Sequence, residues 1–380
     1  MTQHRRVLVI GAGVIGLNVA WRLAERGATV TVVEADRPGT GTSSTSFAWL
    51  NASSKVDYTA DYFELNALAL REHAALTAKP GAASWTRFTG DIEVAADASA
   101  AATLARKVER LRAMGYAAET LSADRLDDLE PGTRMPAGGA ASFYPEEGWA
   151  DVGLFVSALL GFCRSSGVTV IENDPARTVC QAGGRITGGR LRSGMEIDAD
   201  VVITALGRWT SEFASSLGID VPLVAPEPAG SKALGLLVRV LPRDGAPRRL
   251  LHSQSINWSP LANGRALLAS DAGDETVAND RSPEAASAAA RELVTKAATL
   301  NPLFAGAAVE QAGIGIRALP SDGIAICGWV REVQGLYVAV THSGVTLSPL
   351  LGKLVAQEVM KEEGVPLLSA FRPDRFRPRI

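Results

Sequence analysis

The chain has 380 residues, 47% hydrophobic and 21% charged, a globular composition with material for a large core that excludes a mainly disordered chain. Its length favours two domains over one. Charge is nearly balanced, 38 Lys and Arg against 41 Asp and Glu for a net −3, so there is no basic excess to follow a nucleic-acid backbone. Cys163, Cys180 and Cys327 lie far apart and form no CxxC or Cys/His cluster, which argues against a zinc site and a disulfide framework; no metal is expected. The first residues are polar and lack the apolar run of a signal peptide, and the longest apolar runs, such as 234–240, fall far short of the ~20 residues of a membrane span. A cytoplasmic protein without a membrane span is expected.

The first predicted strand is Val7-Leu8-Val9-Ile10, apolar on every residue, as in a parallel strand buried on both faces. Gly11-Ala12-Gly13-Val14-Ile15-Gly16 follows and opens a helix over Leu17 to Arg26; a second strand, Thr29 to Val33, ends at Glu34, with Ala35 after it. The order is that of a complete βαβ unit. Gly11 suits the tight turn, Gly13 lets the backbone approach a pyrophosphate, and Gly16 lets helix and strand pack closely. Val14 and Ile15 open the helix, whose N–H groups and dipole face the anion. The Glu34 carboxylate stands where it can accept ribose hydroxyls. The unit predicts an adenine dinucleotide and leaves FAD and NAD both open.

Residues 39–46, GTGTSSTS, form a polar loop in which Ser43, Ser44, Thr45 and Ser46 can hold a pyrophosphate or the edge of a cofactor ring. Lys55 follows in a segment expected to pass over the cofactor, where it could hold an anionic substrate or assist reaction with oxygen; the alternative is a solvent-exposed lysine. Further along, Trp85 to Ala95 reads as a turn between two short strands. Thr103 to Met114 reads as a helix with a charged face, and a shorter helix ends at Glu130-Pro131-Gly132. Val152 to Ser165 reads as a helix, and residues 168–171 and 190–197 as strands. Leu234 to Val240, Arg249 to Trp258 and Arg265 to Ser270 are strand-like, and Glu284 to Asn301 is an Ala-rich helix. Strands followed by a helix suggest an antiparallel sheet with helical cover. The four arginines in Phe371 to Ile380 read as a solvated or packing tail.

Two later segments and one earlier stretch carry a family resemblance. Asp200 to Trp209, DVVITALGRW, looks like the second dinucleotide fingerprint of FAD oxidoreductases. Gly315-Ile316-Arg317, the turn Pro320-Ser321-Asp322-Gly323, the strand from Ile324 to Gly328, the strand from Gly335, and Thr341-His342-Ser343-Gly344 before a helix at 348–361 follow one another in the closing order of the D-amino acid oxidase family in the broad sense. That family includes glycine and sarcosine oxidases and bacterial D-amino acid dehydrogenases. Thr45-Ser46-Phe47-Ala48 is similar to the TSFA segment of the dehydrogenases.

The resemblance implies an α/β fold: a Rossmann-like FAD-binding domain of the glutathione-reductase type, with an interleaved α+β substrate domain containing an antiparallel sheet. The FAD-binding domain is expected over 1–84, 145–225 and 313–380, and the substrate domain over 85–144 and 226–312. The implied activity is oxidation of a C–N bond of an amino acid or small amine, with O2 or another electron acceptor, in a chain able to form oligomers. Oxidation of another small metabolite, such as a secondary-metabolism intermediate, or a flavin-bearing subunit of a larger complex are the alternatives. Val179, Gly207 and Trp209 join the expected FAD contacts. Gly344, Val345 and Thr346 are expected at the flavin N1/O2 edge, where a helix N-terminus stabilises negative charge. Arg317 matches the family's substrate-contacting Arg, and its planar fork suits a carboxylate; pairing with an acid of the protein is the alternative. Glycine-oxidase-like members carry a second Arg just after the turn, where this chain has Ser343-Gly344-Val345. His342 is expected either to take part in catalysis or to shape the turn. Tyr58, Tyr144, His252 and Trp258 read as core or pocket wall. The linking Cys or His of covalent flavin members is absent at the matching positions, so FAD is expected to bind non-covalently.

Overall fold

The computed structural model describes residues 5–78, 84–361 and 364–377. A six-stranded sheet runs in the order Ile326–Trp329, Leu336–Val340, Val201–Thr204, Arg6–Ile10, Thr29–Val33, Thr169–Ile171. All neighbours are parallel except the Ile326–Trp329 edge. The all-apolar strands follow from cover on both faces. Side chains alternate along Arg6–Ile10: Val7 and Val9 pack into one core with helices Val14–Ala24, Ala60–Thr77, Val152–Ser165 and Gly344–Lys361, while Leu8 and Ile10 face a second core. The second core lies under a three-stranded sheet of Ala176–Ala182, Arg185–Leu191 and Glu196–Asp198. Gly189 permits that contact, since a Cβ there would lie 2.6 Å from Leu8 Cδ2. Helices, parallel sheet and small antiparallel sheet make the three layers of a Rossmann-like FAD-binding fold.

A larger eight-stranded sheet has the order Ala308–Ile316, Leu234–Leu241, Ala266–Ala269, Asn257–Pro260, Leu250–Ser253, Asp91–Ala95, Ala140–Tyr144, Glu119–Leu121. It is antiparallel as expected, with one exception: Leu250–Ser253 pairs in parallel with Asp91–Ala95. No hairpin joins those two strands, because they come from separate stretches of chain. Helix Pro283–Leu300 packs on the face carrying Leu236, Val238, Leu251, Trp258 and Leu268. The opposite face, with Gly235, Leu237, His252 and Asn257, borders the cavity described below. Period-two alternation thus assigns one face to the core and one to the site.

The structure departs locally from the expected elements. Thr86–Arg87 and Asp91–Ala95 belong to different sheets and do not form a hairpin. The strand expected over Arg249 to Trp258 is two strands, Leu250–Ser253 and Asn257–Pro260. Helices Ala60–Thr77 and Asp271–Asn279, which the periodicity did not reveal, are capped by Thr59 and Ser270. The last long helix begins at Gly344 and not at 348, so Pro349 lies inside it. Proline removes the N–H that would reach Val345 O. That carbonyl is satisfied instead by His73 Nε2–H at 2.9 Å and by Ser348 Oγ–H at 3.3 Å. His73 Nδ1 in turn accepts from Trp85 Nε1–H at 3.4 Å, and burial pushes its pKa down to about 4, so this tautomer is neutral. Among the described residues no helix is long and apolar enough to cross a membrane.

Candidate active site

The glycine turn after the first strand is shaped by close approach. Gly11 has φ +103, and a Cβ on it would lie 2.5 Å from Ala205 O. A Cβ on Gly16 would lie 1.9 Å from Gly11 O. Gly13 differs: a Cβ there would meet only Ser43 Oγ, at 3.3 Å, so its outer face is open. Val14 N–H donates to that same Ser43 Oγ, at 3.3 Å, which ties the 39–46 loop to the helix start. The Glu34 carboxylate accepts from Ala12 N–H at 2.8 Å and Asp36 N–H at 3.1 Å; Ala35 beside it is exposed. An open backbone face at a helix N-terminus with an acid at the next strand end fits an adenine dinucleotide. The second fingerprint closes over the same loop. Gly207, at φ +54, starts a short turn that carries Trp209 against Gly41, and Arg208 lies 4.0 Å over the Trp209 ring. Ser44 is exposed, and its hydroxyl donates to Thr40 O and Gly41 O within its own loop. Val179 is buried in the core beneath the six-stranded sheet.

The loop leads into a cavity of about 260 Å³ lined by the 42–55 segment, one face of the eight-stranded sheet and the start of helix Gly344–Lys361. Of the residues expected at the site, Thr45, Ser46, Lys55, Arg317, His342, Val345 and Thr346 line it. Ile15 and Gly344 meet beside it, since a Cβ on Gly344 would lie 3.7 Å from Ile15 Cδ1. The start of helix Gly344–Lys361 is pinned from several sides: Thr346 Oγ1–H donates to Trp49 O at 2.9 Å, and Tyr62 O–H donates to Ser343 Oγ at 3.0 Å. The His342 ring lines the cavity and is exposed there, with protein atoms crowding its other sides. Desolvation by those atoms, with the charges of Lys55 and Arg317, pushes its pKa down to about 3, so it stays neutral near pH 7. Lys55 is held down to about 8 by desolvation, with Glu147 opposing and Lys107 assisting the shift.

Four acids that the sequence reading did not single out organise this cavity. Glu147, fully buried, accepts from Ala52 N–H at 2.9 Å, Ser53 N–H at 2.7 Å, Tyr116 O–H at 2.9 Å and Trp49 Nε1–H at 3.1 Å. It therefore fixes both the Trp49 ring and the Ser53–Lys55 turn, and burial together with Asp91 pushes its pKa up to about 7. Asp91, equally buried, bonds His252 Nδ1 at 2.9 Å, and the His252 ring stacks on Trp49 with centroids 3.8 Å apart. Asp274 pairs with Arg317, and Asp271 lines the cavity beside it. Arg317 also donates to Lys232 O at 3.1 Å and Leu234 O at 2.6 Å, so its fork is engaged by protein acceptors. The only sequence signal for Glu147 is an acid set among aromatic residues at 144–149. Asp91 and Asp274 carry no local signal.

The family model for FAD dependent oxidoreductases of the DAO group matches residues 6–358. Glycine oxidase of Geobacillus kaustophilus is 26% identical over 398 residues, covering 100% of this chain and 99% of the relative. D-amino acid dehydrogenase of Cereibacter sphaeroides is 26% identical, covering 89% and 87%. The crystal structure of the Geobacillus kaustophilus glycine oxidase superposes with a TM-score of 0.82 at 22% identity, over 98% of this chain and 100% of that one. Iminodiacetate oxidase of Chelativorans sp. BNC1 gives 0.81 at 23% identity, over 97% and 99%. The chain is a member of the DAO family of FAD-dependent oxidoreductases.

Proposed function

We propose that the protein oxidises a C–N bond of an amino acid or small amine held in the cavity beside the start of helix Gly344–Lys361. The observation that carries this reading is the mixed charge of its lining: the cations Lys55 and Arg317 together with the carboxylates Asp271 and Asp274, the last of them paired with Arg317. Such walls suit a small molecule that bears both an anionic and a cationic group. Bound non-covalently, FAD supplies the two-electron acceptor for a hydride leaving the substrate carbon. The nitrogen loses a proton, and water then converts the resulting imine to a carbonyl compound and an amine.

The residues divide the remaining work. Gly11, Gly13 and Gly16, the 39–46 loop, Glu34 and the Gly207 turn hold the dinucleotide. Gly344, Val345 and Thr346, at the start of helix Gly344–Lys361, would offer N–H groups and the positive helix end to the bound cofactor. Lys55 and Arg317 orient the anionic group, and neutral His342 shapes the wall without adding charge. On this reading the described residues of 1–84, 145–225 and 313–380 make up the FAD-binding domain and those of 85–144 and 226–312 the substrate domain, the last boundary falling within strand Ala308–Ile316 of the eight-stranded sheet. With FAD bound, O2 or another electron acceptor would take up the electrons.

The test is an anaerobic screen of the holoprotein over D-amino, L-amino, N-substituted and imino acids. Loss of the long-wavelength flavin band with at least one of them is expected. Loss with none of them, while dithionite still bleaches the protein, refutes the reading.

A further inference from the structure

Arg317 reaches the cavity with its charge already answered. One terminal nitrogen donates to Lys232 O and Leu234 O, and the other is paired with the Asp274 carboxylate. Asp274 is held independently of Arg317, because its Oδ1 accepts from Leu236 N–H at 2.7 Å. It lies on helix Asp271–Asn279, which Ser270 caps by accepting from Gly273 N–H at 3.0 Å. The guanidinium is seated against Gly235, where a Cβ would lie 2.7 Å from Nη2. Desolvation pushes the Asp274 carboxyl above its ordinary pKa, and Arg317 opposes that shift.

We propose that Asp274 is an internal carboxylate that occupies the anion-binding edge of Arg317 and competes there with the carboxylate of an incoming ligand. It is thereby a specificity-determining residue, setting which carboxylate-bearing molecules bind and how tightly. The inference rests on reading the cavity as the substrate site. A ligand carboxylate offers Nη2 the same kind of charged oxygen that Asp274 Oδ2 offers. For the ligand to reach Nη2, Asp274 must withdraw while keeping its bond to Leu236. The apparent dissociation constant is then the intrinsic one divided by the fraction of molecules whose Arg317 edge is free. Ligands whose second charged or polar group can use the released Asp274 are favoured over plain carboxylates.

The experiment titrates the FAD-loaded protein with propionate, a carboxylate without an amine, and reads the perturbation of the flavin spectrum. Asp274→Asn keeps an oxygen for Leu236 N–H and removes the competing charge. Its apparent Kd for propionate is expected to fall about tenfold or more, as the competition disappears. Adding Arg317→Met to Asp274→Asn is expected to cancel the gain. Asp274→Ala serves as the second variant, with flavin content and melting temperature recorded for each. Binding that is unchanged or weaker in both single variants at normal flavin content overturns the proposal, as does a gain that survives Arg317→Met. The readout is binding and not turnover. Tighter propionate binding in Asp274→Asn together with no amino compound that reduces the flavin therefore upholds Asp274's role while refuting the proposed activity.

Discussion

Gly13 and Gly16 stand three residues apart in one turn, and the structure predicts opposite consequences for filling them. A Cβ on Gly16 would stand 1.9 Å from the Gly11 carbonyl oxygen, a backbone atom that cannot rotate away. Helix Val14–Ala24 must move off the first strand by more than 1 Å to reach ordinary van der Waals distance, roughly double the clash spacing. Overpacking of this kind costs about 3 kcal/mol or more, a large fraction of a typical folding free energy of ~5–15 kcal/mol. Gly13 is the N-cap of that helix at φ −72, a value any residue adopts, and faces only Ser43 Oγ. Gly13→Val should therefore cost the FAD-free fold only about 1 kcal/mol, the scale of an N-cap change. Its side chain would nevertheless fill the space the pyrophosphate needs. The assay pairs two readings on each variant: flavin per protein as purified, and thermal melting of the FAD-free protein followed by circular dichroism. Gly13→Val should be colourless with a near-normal melt, and Gly16→Ala should melt several degrees lower. A Gly13→Val protein with full FAD content, or a Gly16→Ala apoprotein that melts like wild type, refutes the assignment of the two glycines.

Further outcomes follow from the buried charges. Lys55 is positive below about pH 8 and neutral above it, so propionate binding should weaken as pH rises through about 8, and Lys55→Met should flatten that profile in titrations across pH 6–10. Glu130, buried and accepting from Arg248 N–H and Arg249 N–H, is pushed up from 4.5 to about 7 by burial. The folded state therefore holds a proton that the unfolded chain releases, and stability should fall as pH rises from about 4.5 to 7, by roughly 3 kcal/mol for this group. Glu130→Gln should remove that part of the slope in denaturant melts. Glu147→Ala leaves four donors without their acceptor, so a loss of about 3 kcal/mol or more and a disordered Trp49 fluorescence signal are expected. Acid precipitation should release all FAD to the supernatant, and flavin in the pellet would contradict non-covalent binding.

The parts of this molecule legible in the sequence are those written in local pattern. The all-apolar strand at Val7–Ile10, the glycines and the acid after Thr29–Val33 lie within one βαβ unit, and the order of the closing motifs gives the family. The eight-stranded sheet is partly legible because Leu236 and Val238 alternate with the cavity-facing Gly235 and Leu237. Its one parallel pairing joins Asp91–Ala95 to Leu250–Ser253, and no local signal marks a contact between residues so distant in the chain. The same reason hid the acids: His252 meets Asp91 across 161 positions, and Glu147 meets Ser53 across 94. Helix Asp271–Asn279 has only three buried residues, Gly273, Val277 and Ala278, too weak an apolar stripe to declare a period. The last long helix starts at Gly344, four residues before the expected 348, with Pro349 inside it, and that start depends on His73 replacing the missing bond, which is a tertiary fact.

Whether a substrate C–N bond is oxidised in the cavity lined by Lys55, Arg317 and His342 is decided by mixing the FAD-loaded protein anaerobically with the best amino compound from the screen and quantifying the organic product against flavin reduced. One carbonyl compound and one amine per flavin are predicted, with flavin reduction slowed when the hydrogen on the carbon bearing nitrogen is replaced by deuterium. Flavin reduction without a matching carbonyl product would exclude C–N oxidation in this cavity.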